Sequence, residues 1–278
     1  MPNSWRLRRS ALLALIVLSL ALPVYAQDGE TEPIVIQGSL QLEALVTAVR
    51  DAYVAGHPDA QIMIEPQGPS VGFQALCAGE ADIVMANEPM SDQQIAACNS
   101  NNTEFIETVI AYEGIVLLAT PESGVTCLDR DKVNEIWSLG APAEVNWADL
   151  TSTTLTEVVK FHGPSAESPA YRLFAALVPA EDLRQNFTTI DDPAALLEAV
   201  KAEGSAALAF MSLRDYEQAD PSGTFPPLNI ENENFTCVPP SLSTLELGTY
   251  PLGRTSYLYV NAASALREDV QEFMQFVL

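Results

Sequence analysis

The sequence predicts an α/β fold with a largely parallel sheet. Short apolar runs alternate with amphipathic stretches from Pro33 onward, and this alternation is typical of parallel strands joined by helices. Two turns that contain Gly and Ser follow predicted strands, at residues 38–39 and 68–70. In such sheets ligands bind beyond the carboxyl ends of the strands, where a turn leads into a helix. Both turns fit that description.

The first part of the chain is predicted to contain three strands, three helices and a long apolar segment. We expect strands at 34–36, 61–65 and 81–86, and helices at 40–53, from 71 to 78 and from 91 to about 98. Leu42, Leu45, Val46 and Val49 share one face of the first helix. The segment 105–119 is nearly continuously apolar, which favours one or two buried strands.

The second part of the chain, from Pro121 onward, continues the alternation. We expect helices at 131–137, 171–178, 193–202 and 269–278, and strands at 158–161, 206–210 and 250–261. Residues 218–240 are rich in Pro, Asn and Ser, which favours a loop. The sequence shows no internal repeat.

The first 26 residues have the layout of an export signal. Three arginines precede an apolar run over residues 11–22, and Val24-Tyr25-Ala26 offers a small-residue cleavage site. The run is shorter than the roughly 20 residues that span a membrane. We expect cleavage after Ala26 and a soluble exported protein; an uncleaved membrane anchor is the alternative.

Charge excludes two classes of partner. Removing residues 1–26, which carry three arginines and no acid, takes the net charge from −24 to −27. Nucleic acids and anionic membrane surfaces are polyanions, so we expect neither as a partner. A small anionic ligand remains compatible, because local amide dipoles can bind an anion inside an acidic protein.

Four cysteines in an exported chain predict two disulfides. Three pairings are possible, and we favour Cys77–Cys98, which closes a short loop, with Cys127–Cys237. No Cys-x-x-Cys spacing occurs and His57 and His162 are the only histidines, so we expect no metal site and no cofactor. No nucleophile elbow or phosphate loop occurs either, which leaves an enzyme as the least supported class.

Several segments in order resemble the phosphate-binding proteins of ABC importers. They are 36–39 (IQGS), 68–73 (GPSVGF), 76–83 (LCAGEADI), 128–137 (LDRDKVNEIW), 146–150 (NWADL), Gly163-Pro164 with Ser168, 250–254 (YPLGR) and 257–260 (YLYV). The resemblance covers nearly all of residues 33–278. Family members usually continue for some residues beyond the position of Leu278.

The resemblance implies a two-lobed, type II periplasmic-binding-protein fold with mixed sheets, flanking helices and a ligand cleft between lobes. We expect lobe 1 to comprise residues 27–118 and 245–278, and lobe 2 to comprise residues 119–244. Hinge motion would close the lobes on a small anion. The implied protein is a monomeric periplasmic or secreted receptor that delivers its ligand to an ABC permease and performs no catalysis.

Three serines are candidate ligand-binding residues. Ser39, Ser70 and Ser168 are each expected where a turn enters a helix, and the family places ligand turns there. Each hydroxyl could donate to the anion while neighbouring amides, such as that of Leu40, surround its oxygens. Ordinary helix capping is the alternative for each serine.

Asp82 is the fifth candidate, and we expect it to end the third strand. A carboxylate there could accept the proton of monohydrogen phosphate and reject fully ionised sulfate. A strand-end cap or an ion-pair partner is the alternative.

The chain departs from the family at several ligand positions. Glu88 stands where the family usually has an arginine, and Pro169 and Ala170 replace the Gly and Thr of a Ser-Gly-Thr turn. Pro169 removes an amide donor and Ala170 a hydroxyl. Lys160 and Arg172 are the candidate replacements for the lost cation, and Arg254 is interpreted as structural. A different ligand in the same fold, a ligand-gated sensor or adhesion protein, and an exported phosphatase-like enzyme remain the rival hypotheses.

Overall fold

The computed structural model describes residues 32–151, 155–178 and 182–278, and the predicted export signal 1–26 lies outside the described residues. Residues Pro33–Leu278 form one compact unit. No helix among the described residues has the length and apolar character needed to cross a membrane.

Eleven strands and ten α-helices form in the described ranges. The strands are β1 (Ile34–Gly38), β2 (Ile62–Glu65), β3 (Ile83–Ala86), β4 (Phe105–Leu118), β5 (Cys127–Asp129), β6 (Lys160–Gly163), β7 (Thr188–Thr189), β8 (Ala207–Ser212), β9 (Asn229–Glu231), β10 (Cys237–Val238) and β11 (Gly253–Asn261). The helices are α1 (Glu43–Gly56), α2 (Pro69–Ala78), α3 (Asp92–Ser100), α4 (Arg130–Trp137), α5 (Trp147–Leu150), α6 (Pro169–Leu177), α7 (Pro193–Glu203), α8 (Leu213–Ala219), α9 (Leu242–Glu246) and α10 (Glu268–Val277).

Eight strands form one mixed sheet in the order β2-β1-β3-β11-β4-β8-β6-β7. The groups β2-β1-β3 and β8-β6-β7 are parallel within themselves. The antiparallel strands β11 and β4 lie between these two groups. A second, small sheet has the order β10-β9-β5. The predicted α/β fold with mixed sheets and flanking helices is confirmed.

The long strand β4 links the two parallel groups. Its residues 105–114 pair with β11, and its last four residues, 115–118, pair with β8. Two apolar clusters pack around β1, β3 and β11, and a third, larger one packs around 115–119, α4, α6, α7 and β8. The predicted lobe boundaries stay predictions.

Two predictions for strands need correction. Residues 105–118 form one strand, and only its last residues are buried throughout, because the largest apolar cluster packs around that end of the strand. The predicted loop 218–240 contains β9 and β10, because β9 pairs in parallel with β5, about a hundred residues earlier in the chain. The predicted disulfides Cys77–Cys98 and Cys127–Cys237 are both confirmed, and the second ties β10 to β5.

Candidate functional site

The turn after β1 lies at the carboxyl edge of the parallel strands. Gly38 has φ of +124°, and a Cβ there would lie 2.1 Å from the carbonyl oxygen of Met85 in β3, so only glycine fits. A Cβ on Gly72 would come within 2.9 Å of the Gly38 Cα, which lets the first turns of α2 pack directly on this loop. The turns at 38–39 and 68–70 are therefore neighbours.

Ser39 and Leu40 continue this turn. Ser39 is buried, its amide donates to the Met85 carbonyl at 2.8 Å, and its hydroxyl accepts from the amide of Gln41 at 3.2 Å. Ser39 thus caps the short 3₁₀ turn at Leu40–Leu42. Leu40 is exposed, so its backbone amide, rather than its apolar side chain, is the group available to an anion.

Ser70 differs from the other two serines because it does not cap its helix. It is the second residue of α2, behind the N-cap Gly68 and Pro69. Its side chain is exposed, and across the described ranges no hydrogen bond reaches its hydroxyl. That hydroxyl can therefore act as a donor without disturbing the helix.

Ser168 is the N-cap of α6. Its hydroxyl accepts from the amide of Tyr171 at 3.0 Å, and Pro169 occupies the first helical position. Because Pro169 has no amide hydrogen, the backbone amide of Ala170 is the first donor of this helix. In both Ser39 and Ser168 the hydroxyl acts as an acceptor, so its own proton can still be donated.

A cavity of about 420 Å³ joins the turn after β1 to helix α6. It is lined by Gln41, Ala166, Tyr171, Arg172, Ala175, Ala176 and Asp182. Tyr171 and Arg172 lie one helical turn after Ser168, and Ala175 and Ala176 lie two turns after it. The cavity therefore lies beside the turn after β1 and beside α6, but its lining includes none of the predicted donors Ser39, Leu40, Ser70 and Ser168. It adds Gln41, Tyr171 and Asp182, which sequence reasoning missed.

Arg172 gives the cavity a cation. Its Nη1 atom donates to the Glu167 carbonyl at 2.7 Å, and no carboxylate of the described chain lies within 4 Å of its guanidinium. Lys160, the other cation considered from the sequence, forms an ion pair with Glu203. Of the two, Arg172 is the one that lines the cavity.

Asp182 gives the cavity an acceptor. Its Oδ1 atom accepts from the hydroxyl of Tyr171 at 2.6 Å and from the amide of Leu183 at 2.8 Å. Its Oδ2 atom has no partner in the described part of the protein. Burial, followed by the hydrogen bond to Asp182, raises the pKa of Tyr171, so this phenol stays protonated and keeps donating.

Gln41 connects the cavity wall to the strands between the two parallel groups. Its Oε1 atom accepts from Asn87 Nδ2 at 2.9 Å and from Arg254 Nη1 at 2.6 Å. Arg254 Nε also donates to Glu113 Oε2 of β4 at 2.8 Å. Glu88, next to Asn87, is exposed, so a carboxylate stands near the edge where the family resemblance implied an arginine.

The prediction that Asp82 ends the third strand is wrong. Asp82 precedes β3 and lies at the amino edge of the sheet, about 10 Å along the strand from Met85 at 3.3 Å per residue. Its carboxylate accepts from the Val35 amide at 2.8 Å and pairs with Arg267 at 3.1 Å. The structure therefore does not bring Asp82 together with Ser39 and Ser70, and it supports the ion-pair alternative.

The chain has named relatives in other bacteria. It is 24% identical to the protein SphX of Synechococcus elongatus, over 98% of this chain and 81% of SphX. It is 23% identical to the phosphate-binding protein PstS of Staphylococcus haemolyticus, over 87% of this chain and 75% of PstS.

Solved structures of similar fold carry related names. A possible phosphate binding protein from Planctomyces limnophilus superposes with a TM-score of 0.72 at 23% identity, covering 88% of this chain and 87% of that one. An ABC-type phosphate transport receptor from Vibrio cholerae gives a TM-score of 0.53 at 18% identity, covering 88% and 93%. Residues 23–278 match the PBP superfamily domain, and the chain belongs to that superfamily.

Proposed function

We propose that this protein is an exported solute-binding receptor that captures a small oxyanion for an ABC importer, with phosphate as the first candidate. The observation that carries the proposal is the cavity beside the α6 N-terminus, where Arg172 has no carboxylate partner among the described residues. In a chain with a net charge of −24, acidic side chains are plentiful. An arginine left without one in a cavity is available to an anionic ligand.

The proposed ligand-binding groups come from three turns. The hydroxyls of Ser39, Ser70 and Ser168 and the amide of Leu40 would donate to the anion, and Arg172 would supply the charge. A buried oxyanion needs several such donors, because each of its oxygens loses hydrogen bonds to water. Asp82 is left out of this set because it lies at the opposite edge of the sheet.

The receptor would work by binding and release alone. Closure would bring residues 27–118 with 245–278 against residues 119–244, which are the proposed lobes, and the closed form would be presented to a permease. This role needs an extracytoplasmic location, cleavage of the signal after Ala26 and no catalytic residue. A monomer suffices, because each chain carries both walls of the cavity.

Thermal unfolding of residues 27–278 against phosphate, sulfate and molybdate tests the proposal. A ligand that binds only the folded state stabilises it by about 2.7 kcal/mol at one hundred times its Kd. We expect a rise in the melting midpoint that grows with the concentration of phosphate, measured against chloride at equal ionic strength. The absence of a shift with every oxyanion at millimolar concentration would contradict the oxyanion site.

A further inference from the structure

Gln41 is a cavity residue whose side-chain amide is bonded at its oxygen end only. Its Oε1 atom accepts from Arg254 Nη1 at 2.6 Å and from Asn87 Nδ2 at 2.9 Å. A guanidinium can only donate hydrogen bonds, so the oxygen of the Gln41 amide must be the atom beside Arg254. The Nε2 atom is then the donor end of the amide, and it has no acceptor in the described part of the chain.

Arg254 is itself held in place by the sheet. Its Nε atom donates to Glu113 Oε2 at 2.8 Å in an ion pair, and only 13% of its side chain is exposed, so water competes little for it. Glu113 of β4 and Arg254 of β11 lie directly opposite each other in the antiparallel ladder. Two paired strands therefore determine where Arg254 meets Gln41.

The contacts at the oxygen end make the Nε2 hydrogens of Gln41 better donors to an anion. A cation that donates to an amide oxygen withdraws electron density from the amide nitrogen, and hydrogen bonds in a chain strengthen one another. The amide is also oriented before a ligand arrives, so less conformational entropy is lost on binding. Gln41 and Arg172 line the same cavity, which gives one anion both an amide donor and a guanidinium.

We propose that Gln41 is a ligand-binding residue that donates from Nε2 to the bound oxyanion, and that the Arg254–Glu113 pair positions it. The inference rests on the proposed receptor function and adds a contact that the turn serines and Arg172 do not supply. A bound oxyanion needs several donors, because its oxygens lose their hydrogen bonds to water. The Nε2 atom is a donor that no group of the described chain uses.

Isothermal titration of residues 27–278 with inorganic phosphate tests the contact. Gln41→Met keeps the approximate length and the neutrality of the side chain but removes its donor. It should weaken phosphate binding by at least about tenfold, the value of one hydrogen bond to a charged group. Gln93→Met makes the same exchange at an exposed position of α3, and its affinity should match that of the unmodified protein.

A second variant and a spectrum separate this contact from a structural role. Gln41→Glu keeps an oxygen that can accept from Arg254 and Asn87, so its melting midpoint without ligand should match the unmodified protein. Its phosphate affinity should nevertheless fall at least as far as that of Gln41→Met, because an acceptor has replaced the donor. In a proton–nitrogen correlation NMR spectrum, the Gln41 side-chain signal, identified by its absence from both variants, should move downfield when phosphate is added.

A double-mutant cycle measures the positioning role of Arg254. If Arg254 acts through Gln41, Arg254→Gln should weaken phosphate binding by at least about fivefold in the unmodified protein and by less than about twofold in Gln41→Met. The cycle compares affinities, so a loss of stability that leaves the protein folded does not enter it. Equal losses in the two backgrounds would overturn the positioning role.

The outcomes separate this inference from the function on which it rests. Equal phosphate affinity in Gln41→Met and Gln93→Met would overturn the inference and leave the oxyanion receptor standing, as would a Gln41 NMR signal that phosphate does not move. Binding of no oxyanion by the unmodified protein would overturn both. If Gln41→Met fails to fold, Gln41→Glu and the NMR signal decide the contact on their own.

Discussion

Two aspartate and arginine sites of this protein have opposite arrangements. At the amino edge of the sheet, Asp82 and Arg267 form an ion pair through the Oδ1 atom of Asp82. The Oδ2 atom of Asp82 accepts from the Val35 amide. In the cavity, Arg172 and Asp182 share no ion pair, and each keeps a polar atom without a charged partner in the described chain. Satisfied charges hold elements together, whereas unsatisfied ones at a cavity are available to a ligand.

The largest effect on stability is expected at the amino edge. Asp82→Ala leaves the Val35 amide without its acceptor and Arg267 with Asp269 as its ion-pair partner, and losing a hydrogen bond to a charged group costs about 1.5–3 kcal/mol. Denaturant unfolding should show this loss, whereas Asp51→Ala, in the exposed Arg50–Asp51 pair, should cost less than about 1 kcal/mol. Phosphate affinity should not change; a loss of affinity at unchanged stability would make Asp82 a ligand after all.

A smaller effect distinguishes the serines at the carboxyl edge. Ser168→Ala removes the N-cap of α6 and should lower the free energy of unfolding by about 1 kcal/mol. Ser70→Ala removes a hydroxyl that makes no hydrogen bond in the described chain, so its effect should stay within about 0.5 kcal/mol. Both changes should weaken oxyanion binding. Equal loss of stability in the two variants would show that Ser70 has a structural role.

His162 extends the comparison to an unsatisfied group that lies outside the cavity. It is buried in β6, and neither ring nitrogen has a hydrogen-bond partner in the described chain. Burial lowers the pKa of His162 from 6.5; Glu203 acts in the opposite direction and Lys160 in the same direction. The folded state therefore binds fewer protons than the unfolded state, and stability falls as the pH drops below about 6.5.

Melting at about pH 7.5 and about pH 5 measures this smallest effect. His162→Leu should reduce the loss of stability between these two values. Asp191, Asp220 and Asp269, whose pKa values hydrogen bonds hold below 3.8, lose their contributions only at lower pH and do not interfere. An unchanged pH dependence in His162→Leu would assign the acid sensitivity to another group.

Local signals were enough to predict the turns at the carboxyl edge of the sheet and the start of α6. The Gly and Ser turns at 38–39 and 68–70 and the start of α6 at Ser168 follow from turn chemistry and helix capping, and those are properties of neighbouring residues. Local signals could not predict the position of Asp82. Its carboxylate accepts from the Val35 amide of β1, a strand distant in the sequence, and β3 begins at the next residue. No local pattern reports that contact.

Contacts between distant segments also explain the other omissions. Asp182 reaches the cavity because the Tyr171 hydroxyl and the Leu183 amide hold its side chain, although it lies beyond the end of α6. Strand β9 forms in a segment rich in loop residues because β5 supplies its hydrogen-bond partners. Propensity predicts what a segment prefers alone, and pairing across the fold can override it.

Isothermal titration of Arg172→Gln beside Arg214→Gln tests the central claim most directly. Each change removes one positive charge from a helix surface, but Arg172 lines the cavity and Arg214 is an exposed residue of α8. With inorganic phosphate as the probe, Arg172→Gln should weaken binding by at least about tenfold, because a hydrogen bond to a charged group contributes about 1.5–3 kcal/mol. Arg214→Gln should match the unmodified protein. Equal affinities in the two variants would contradict an oxyanion site in this cavity.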